Sequence, residues 1–413
     1  MSKAFPKAGV SWDELKDRLT EARQEDVDWR SGKISGLLYF AGDDVLQVAE
    51  DAYAMFFSEN AVYQTVYPSM AKMEEEVIDL SLGLLHGGDK AAGSMTTGGT
   101  ESIFLAIKTA RDWARANKPF KGTPEILTSR TAHPAFDRAA QLLDMKVVRV
   151  APGPDFRADV DAMAEAITDN TIMMVGSAPE YPHGAIDPIE DLGKVAVSRD
   201  VWLHVDACVG GFMAPFVKML GYPIPDFDFA VPGVRSISAD VHKNGYAAKG
   251  ASTVLYSDAE YLKHQGFEFD QWSKGHYATQ TFVGSRPGGA IASAWAVMNY
   301  LGEEGYMRIA QEVIRIRETL MDGVNRIDGL ETYGEPQLTI FTYGSNVFDI
   351  FAVAEGMAEA GWYVSRIQEP NAIHMMLSLI QKPVVEEYIS DLSFIVDKVK
   401  EGKLVSSGAK VSY

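Results

Sequence analysis

Ser238-Ala239-Asp240-Val241-His242-Lys243 closes a run of apolar and small residues with a histidine directly followed by a lysine. A lysine is a nucleophile toward an aldehyde only when its amine is neutral part of the time, a condition that a desolvated, cation-flanked pocket favours. His242 is a candidate for supplying that setting, and Lys243 for forming an imine. A surface lysine after a strand has the same local sequence, so the neighbouring segments must decide.

Upstream, Val201-Trp202-Leu203-His204-Val205-Asp206-Ala207 reads as a buried strand with a carboxylate at its carboxyl end, where open α/β sheets place ligands. Asp206 is suited to pair with a pyridinium nitrogen. Keeping such a nitrogen protonated makes the ring an electron sink. A helix-capping aspartate is the other reading of this position. Earlier still, Thr97-Gly98-Gly99-Thr100-Glu101-Ser102 opens a helical pattern with Ile103, Ile107, Ala110 and Ala114 on one face. Glycines let the backbone approach an anion, and a helix amino end offers N–H groups and a favourable dipole, so Gly98, Gly99 and Thr100 form a candidate phosphate cradle. The three segments in this order point to pyridoxal 5'-phosphate (PLP). Asp206 and Lys243 lie 37 residues apart, which suits one helix-containing crossover within a single sheet.

Further motifs extend the pattern: Gly32-Lys33-Ile34-Ser35-Gly36 with Tyr39, Thr131-Ala132-His133-Pro134-Ala135-Phe136, Pro182-His183-Gly184-Ala185-Ile186-Asp187-Pro188, and Gly284-Ser285-Arg286-Pro287-Gly288-Gly289. Together these residues resemble PLP-dependent enzymes of the aspartate-aminotransferase fold (fold type I), in the group II decarboxylase branch, and within it the sphingosine-1-phosphate lyases. The lysine and aspartate motifs are shared by the branch, whereas the His-Pro-Ala-Phe, Pro-His-Gly and Ser-Arg-Pro-Gly-Gly lines point toward the lyases. The resemblance implies an α/β fold with a mainly parallel central sheet and a smaller carboxyl-terminal α+β lobe, and a homodimer with shared active sites.

Composition agrees. The chain has 413 residues, 46% of them hydrophobic, enough for a large core. A single cysteine, Cys208, excludes an internal disulfide framework and favours the cytoplasm. Beside Asp206 it reads as a small buried apolar residue rather than a nucleophile. A net charge of −19 argues against nucleic acid and anionic membranes as partners. The amino end after Lys3 and Lys7 is polar and acidic, unlike a signal core. The longest apolar stretch, Ala290 to Val297, is far shorter than the roughly 20 residues of a membrane span, so no transmembrane anchor is expected.

Three parts are expected: a helical amino-terminal arm over residues 1–85 that wraps a partner subunit, a large PLP-binding domain over 86–289, and a small domain over 290–413. Strands are expected at Glu125 to Leu127, Val147 to Val150, Ile172 to Val175, Val201 to Val205, Ser236 to Ser238 and Thr253 to Tyr256. Alternation with helices predicts a mainly parallel sheet covered on both faces. A long helical pattern carries Ile309, Val313 and Ile316, and the Ser-Ser-Gly tail after Val405 reads as mobile. No metal-ligand spacing is present; His204 and Asp206 on one strand face serve cofactor work as well as half a metal site.

The remaining roles follow from the resemblance. His133, its backbone pinned by Pro134, implies a ring stacked on the cofactor; capping the next helix is the alternative. Ser177 lines the cofactor and His183 the substrate cavity, and Ser285 reaches into the other subunit's phosphate site. Lys249, with Tyr39 from the partner, grips the phosphate of a small-molecule phosphorylated amine; an exposed strand-leading lysine is the competing reading. Asn60-Ala61-Val62-Tyr63 stands where the lyases commonly have Asn-Pro-Leu-His, so Tyr63 donates a hydrogen bond but brings no positive charge. The reaction implied is cleavage of a phosphorylated sphingoid base or similar phospho-amino alcohol to a fatty aldehyde and phosphoethanolamine, with amino-acid decarboxylation as the alternative. Lys243, Asp206, His133 and His242 are the catalytic candidates.

Overall fold

The computed structural model describes residues 4–36, 38–62, 65–118 and 120–408. Tyr63 therefore lies outside the described residues.

Seven strands form the central sheet: β1 (Ala92–Thr96), β2 (Glu125–Ser129), β3 (Lys146–Val150), β4 (Thr171–Ser177), β5 (Trp202–Asp206), β6 (Val234–Ala239) and β7 (Ser252–Tyr256). Their order is β1-β7-β6-β5-β4-β2-β3. Neighbours from β3 across to β6 are parallel, and β7 runs antiparallel to both β6 and β1. Strands β2, β4, β5 and β7 are buried throughout, as near-continuous apolar runs require when helices cover both faces. The register pairs Ser177 with Asp206 and Asp206 with Ser238, so the carboxyl ends of β4, β5 and β6 lie side by side.

The helices, in chain order, are α1 (Trp12–Ala22), α2 (Asp43–Met55), α3 (Pro68–Leu84), α4 (Gly99–Asn117), α5 (Ala135–Leu142), α6 (Val160–Glu165), α7 (Ile189–Arg199), α8 (Ala214–Met219), α9 (Ala259–Leu262), α10 (Gly288–Asn325), α11 (Ile350–Glu359) and α12 (Val385–Lys400). Helix α4 buries Ile103, Ile107, Ala110 and Ala114, the face its spacing predicts. Helix α10 buries Ile309, Val313 and Ile316 and is interrupted by non-helical backbone at Gly302. Beyond it an antiparallel sheet of β10 (Glu331–Tyr333), β11 (Ile340–Gly344), β12 (Ser365–Gln368) and β13 (Asn371–Met376) packs under α11 and α12. A short hairpin of β8 (Phe267–Phe269) and β9 (Tyr277–Thr279) stands apart.

Three features differ from the sequence expectation. Strand β1 was not foreseen because Ala92-Gly93-Ser94-Met95-Thr96 carries little β-branched signal; close pairing demands small residues, since a Cβ on Gly93 would come within 2.8 Å of the Val254 carbonyl oxygen. The amino-terminal region is only partly helical, with extended and turn backbone between α1, α2 and α3. The Ser-Ser-Gly tail is held rather than loose: Ser407 N–H and Oγ donate to the Glu355 carboxylate, each at 2.8 Å.

Candidate active site

The carboxyl ends of β4, β5 and β6 and the start of α4 enclose a cavity of about 460 Å³. Gly98, Gly99, Thr100, His133, Ser177, Asp206, His242 and Lys243 all line it, so one space gathers most of the residues nominated from the sequence.

The cradle is built at the turn from β1 into α4. The Glu101 carboxylate accepts from Thr97 N–H at 2.8 Å and Thr97 Oγ1 at 2.6 Å, and from Val283 N–H at 3.1 Å, bracing the turn from both sides. Gly99 is required for close approach: a Cβ there would lie 2.8 Å from Asp240 Oδ2 and from Cys208 Sγ. First-turn N–H groups have no intrahelical acceptor, so those of Gly99 and Thr100 suit an anion.

Asp206 ends β5 with its carboxylate accepting from Cys208 N–H at 3.1 Å and from Ser238 Oγ at 3.3 Å. Burial pushes the Cys208 thiol well above its ordinary value, reinforced by Asp206 and Asp240, which fits a packing role. His204 stays in the core between Ser236 and Ser238, where burial drops its pKa to about 4. Among the described residues no group of three or more His, Cys, Asp or Glu could hold a metal.

His133 Nδ1 accepts from Ala135 N–H at 3.1 Å, so the neutral ring carries its proton on Nε2. Burial lowers its pKa; Asp206 opposes and Lys243 reinforces the shift. A neutral ring results, suited to stacking, and the same bond ties it to the first residue of α5. Ser177 is fixed through its backbone, which donates to Asp187 Oδ2 at 2.7 Å. Asp187 Oδ1 accepts from Ala158 N–H at 2.7 Å, and burial raises this acid to about 7.

Lys243 departs from the expected cation-flanked setting. Its Nζ lies 2.9 Å from Asp240 Oδ2. Burial favours the neutral amine, but Asp240, with help from Tyr39, outweighs it and holds the free lysine well above its ordinary value. His242 in turn is lowered by burial, against the pull of Asp240, and so is not a strong cation. Asp240 is the residue that sequence reasoning passed over, although it stands in the hexapeptide three positions before the lysine.

Lys249 lies beside the cavity. Its Nζ donates to the His242 carbonyl at 2.9 Å and sits 5.0 Å from the centroid of the Tyr39 ring. The residue is exposed overall, yet its ammonium end is turned inward, where desolvation and the nearby Lys243 lower its pKa against Asp240. Within the single chain, Tyr39 itself reaches this lysine.

Other nominated residues are not gathered in. His183 is buried beneath the small sheet, with Nδ1 3.3 Å from Glu180 Oε2, Nε2 3.2 Å from the Glu369 carbonyl, and its ring stacked on Phe156 at 4.1 Å. Asn60 Oδ1 accepts from Val62 N–H at 2.9 Å, and its backbone pairs with Pro287. Ser285 is exposed on that same segment, outside the cavity lining.

An aromatic aldehyde phosphate fits this donor set: a helix amino end opened by two glycines, a strand-terminal carboxylate, a neutral imidazole and a lysine face one space. The pyridoxal-dependent decarboxylase conserved domain matches residues 4–343, and the chain belongs to that family of PLP-dependent lyases. Within it the similarity is to sphingosine-1-phosphate lyases. That of Oryza sativa subsp. japonica is 44% identical over 98% of this chain and 76% of its own length. Sphingosine-1-phosphate lyase 1 of Rattus norvegicus is 40% identical over 100% of this chain and 73% of its own. The solved sphingosine-1-phosphate lyase of Burkholderia pseudomallei K96243 superposes with a TM-score of 0.93 at 38% identity, covering 98% of this chain and 94% of that one. The α/β fold and the group II decarboxylase assignment expected from the motifs are thereby established, and PLP is the cofactor.

Proposed function

We propose that this chain is a PLP-dependent carbon–carbon lyase that cleaves a phosphorylated sphingoid base, or a similar phospho-amino alcohol, to a fatty aldehyde and phosphoethanolamine. The observation that carries the substrate class is the Lys249 ammonium over Tyr39, next to Lys243: a cation with hydrogen-bond donors to spare, placed where a substrate's own phosphate would anchor. The identity to sphingosine-1-phosphate lyases supports the same reading.

When bound, PLP supplies an electron sink that stabilises the electron pair left on an amine-bearing carbon. Lys243 would hold the cofactor, its amine being the group that the substrate amine replaces. Asp206 would keep a positive charge on the ring nitrogen, His133 would cover the ring face, and Gly98, Gly99 and Thr100 with Ser177 would hold the phosphate, His242 bordering Lys243. Lys249 and Tyr39, with Asn60, Tyr63 and His183 as outer candidates, orient the substrate so that the bond to its carbinol carbon is the one presented for cleavage.

Assembly as a homodimer belongs to the same proposal. Phe267, Phe269 and Trp272 on the β8–β9 hairpin and Phe282 near Ser285 are all exposed, beside an open cavity of about 890 Å³ between the hairpin and α3. A partner copy covering this surface would bring Ser285 to the neighbouring site, and α1, which buries none of its residues, is free to wrap it. Division into 1–85, 86–289 and 290–413, and residence in the cytoplasm, are supported by the element order and the single reduced cysteine. Among the described residues no helix is long and apolar enough to cross a membrane.

The test is incubation of the purified protein with sphingoid-base phosphates and a panel of amino acids. Aldehyde with phosphoethanolamine supports the proposal; carbon dioxide from an amino acid, with no aldehyde, replaces it with the decarboxylase reading.

A further inference from the structure

Asp240 is 1% exposed, yet it belongs to none of the roles assigned above. The backbone places it: Lys243 N–H donates to the Asp240 carbonyl at 3.2 Å, folding the segment so that the two side chains meet. Its Oδ2 lies 2.9 Å from Lys243 Nζ and 3.7 Å from His242 Nε2. Its other oxygen, Oδ1, has no hydrogen-bond partner among the described residues, although it is fully buried. Space for the carboxylate comes from Gly99, whose missing Cβ would fall 2.9 Å from Oδ1. Ser252 lies near enough to help lower the carboxyl's pKa without meeting hydrogen-bond geometry at Oδ1, so the main partner of this buried carboxylate is Lys243.

Lys243 cannot act while it is an ammonium, because the nitrogen lone pair carries the proton. The charged and titratable groups that face it are Asp240, Tyr39, Cys208, His242, His133 and Lys249. Against the cost of burial, Asp240 is itself held below its ordinary value by Lys243 and His242, so it faces the ammonium as a carboxylate. Asp240 is the carboxylate in direct contact.

We propose that Asp240 is the positioning residue for Lys243, holding its ammonium in the cavity where the cofactor's aldehyde would be met. This rests on Lys243 as the attachment point of PLP and not on which substrate is cleaved.

The experiment uses the full chain stripped of cofactor. Acetylation of Lys243 by acetic anhydride is followed by peptide mass mapping from pH 6 to 11, with Lys72, whose side chain is 74% exposed, as the internal standard. In the wild type, Lys243 should show no midpoint below pH 11, its acetylation still rising with pH where that of Lys72 begins to level. Asp240→Asn should bring the midpoint below pH 11, making Lys243 at least tenfold more reactive at pH 8, and Asp240→Glu should keep it high. An Asp240→Asn profile equal to the wild type overturns the proposal. Should that variant fail to fold, the wild type decides: a Lys243 midpoint at or below that of Lys72 overturns it equally. No substrate enters the assay, so its outcome is separate from that of the lyase reading.

Discussion

Lys249→Met removes the ammonium while keeping most of the stem. One of its three N–H donors is committed to the His242 carbonyl at 2.9 Å, which leaves two for a substrate phosphate. A charge-assisted hydrogen bond contributes about 1.5–3 kcal/mol, and the exposure of the residue places the net effect of both donors within that range rather than at twice it. The variant should therefore lose roughly 10- to 150-fold in kcat/KM toward a phosphorylated amino alcohol. Toward the same amino alcohol without phosphate, which is a poor substrate, the loss should be less than about threefold, because the missing partner has already removed the interaction. The assay is aldehyde release at low substrate for both proteins and both compounds, with cofactor saturation checked by absorbance. Equal losses for the two compounds, or no loss for the phosphorylated one, would refute the placement of the phosphate at Lys249.

Gly99→Ala should weaken cofactor binding by about tenfold or more, measured by absorbance titration, since the new methyl group must displace Asp240 or Cys208 from 2.8 Å. Asp187→Ala strips the acceptors from two buried N–H groups, those of Ala158 and Ser177, and should cost roughly 2–5 kcal/mol in denaturant unfolding. Stability should also fall on acidification from pH 6.5 toward pH 4. His204 and His374 are each held at about 4 by burial, so the unfolded chain binds protons there that the native chain does not, and at pH 5 each costs about 2 kcal/mol; Asp187, raised to about 7, takes up a proton in the native state first and returns about 2.5 kcal/mol, leaving a net loss of roughly 1–2 kcal/mol, readable as a shift in urea midpoint relative to pH 7.5. Light scattering should find a dimer, and mixing Lys243→Ala chains with Ser285-loop variants should restore part of the activity through hybrid sites; a fully active monomer would contradict shared sites.

The site was legible where chemistry and periodicity coincide. Asp206 ends β5 and Lys243 follows the end of β6, and the register that pairs Asp206 with Ser238 sets those two strand ends side by side. Gly98 and Gly99 were visible because a helical pattern with a clear buried face begins at them. Contacts across distant segments carry no such periodic trace, which is why His183, placed near the substrate by its motif, turns out to be locked between Glu180, Phe156 and the Glu369 carbonyl of the small lobe. The same limit hid the intrachain meeting of Tyr39 with Lys249, since the two are brought together by the extended segment ahead of α2 rather than by either one's own element. Asp240 was in plain view, but its effect depends on a turn that the hexapeptide does not announce. Strand β1 was missed for the opposite reason: tight pairing against β7 selects small residues, which erases the usual strand signature.

Borohydride reduction of the cofactor-loaded protein, followed in parallel by peptide mapping and by aldehyde release from a sphingoid-base phosphate, tests most directly whether the chemistry runs through Lys243. The expected result is one cofactor fixed per chain on the Lys243 peptide, with aldehyde release declining in proportion to the labelling. Label on another lysine, or undiminished aldehyde release from protein fully labelled at Lys243, would contradict the account.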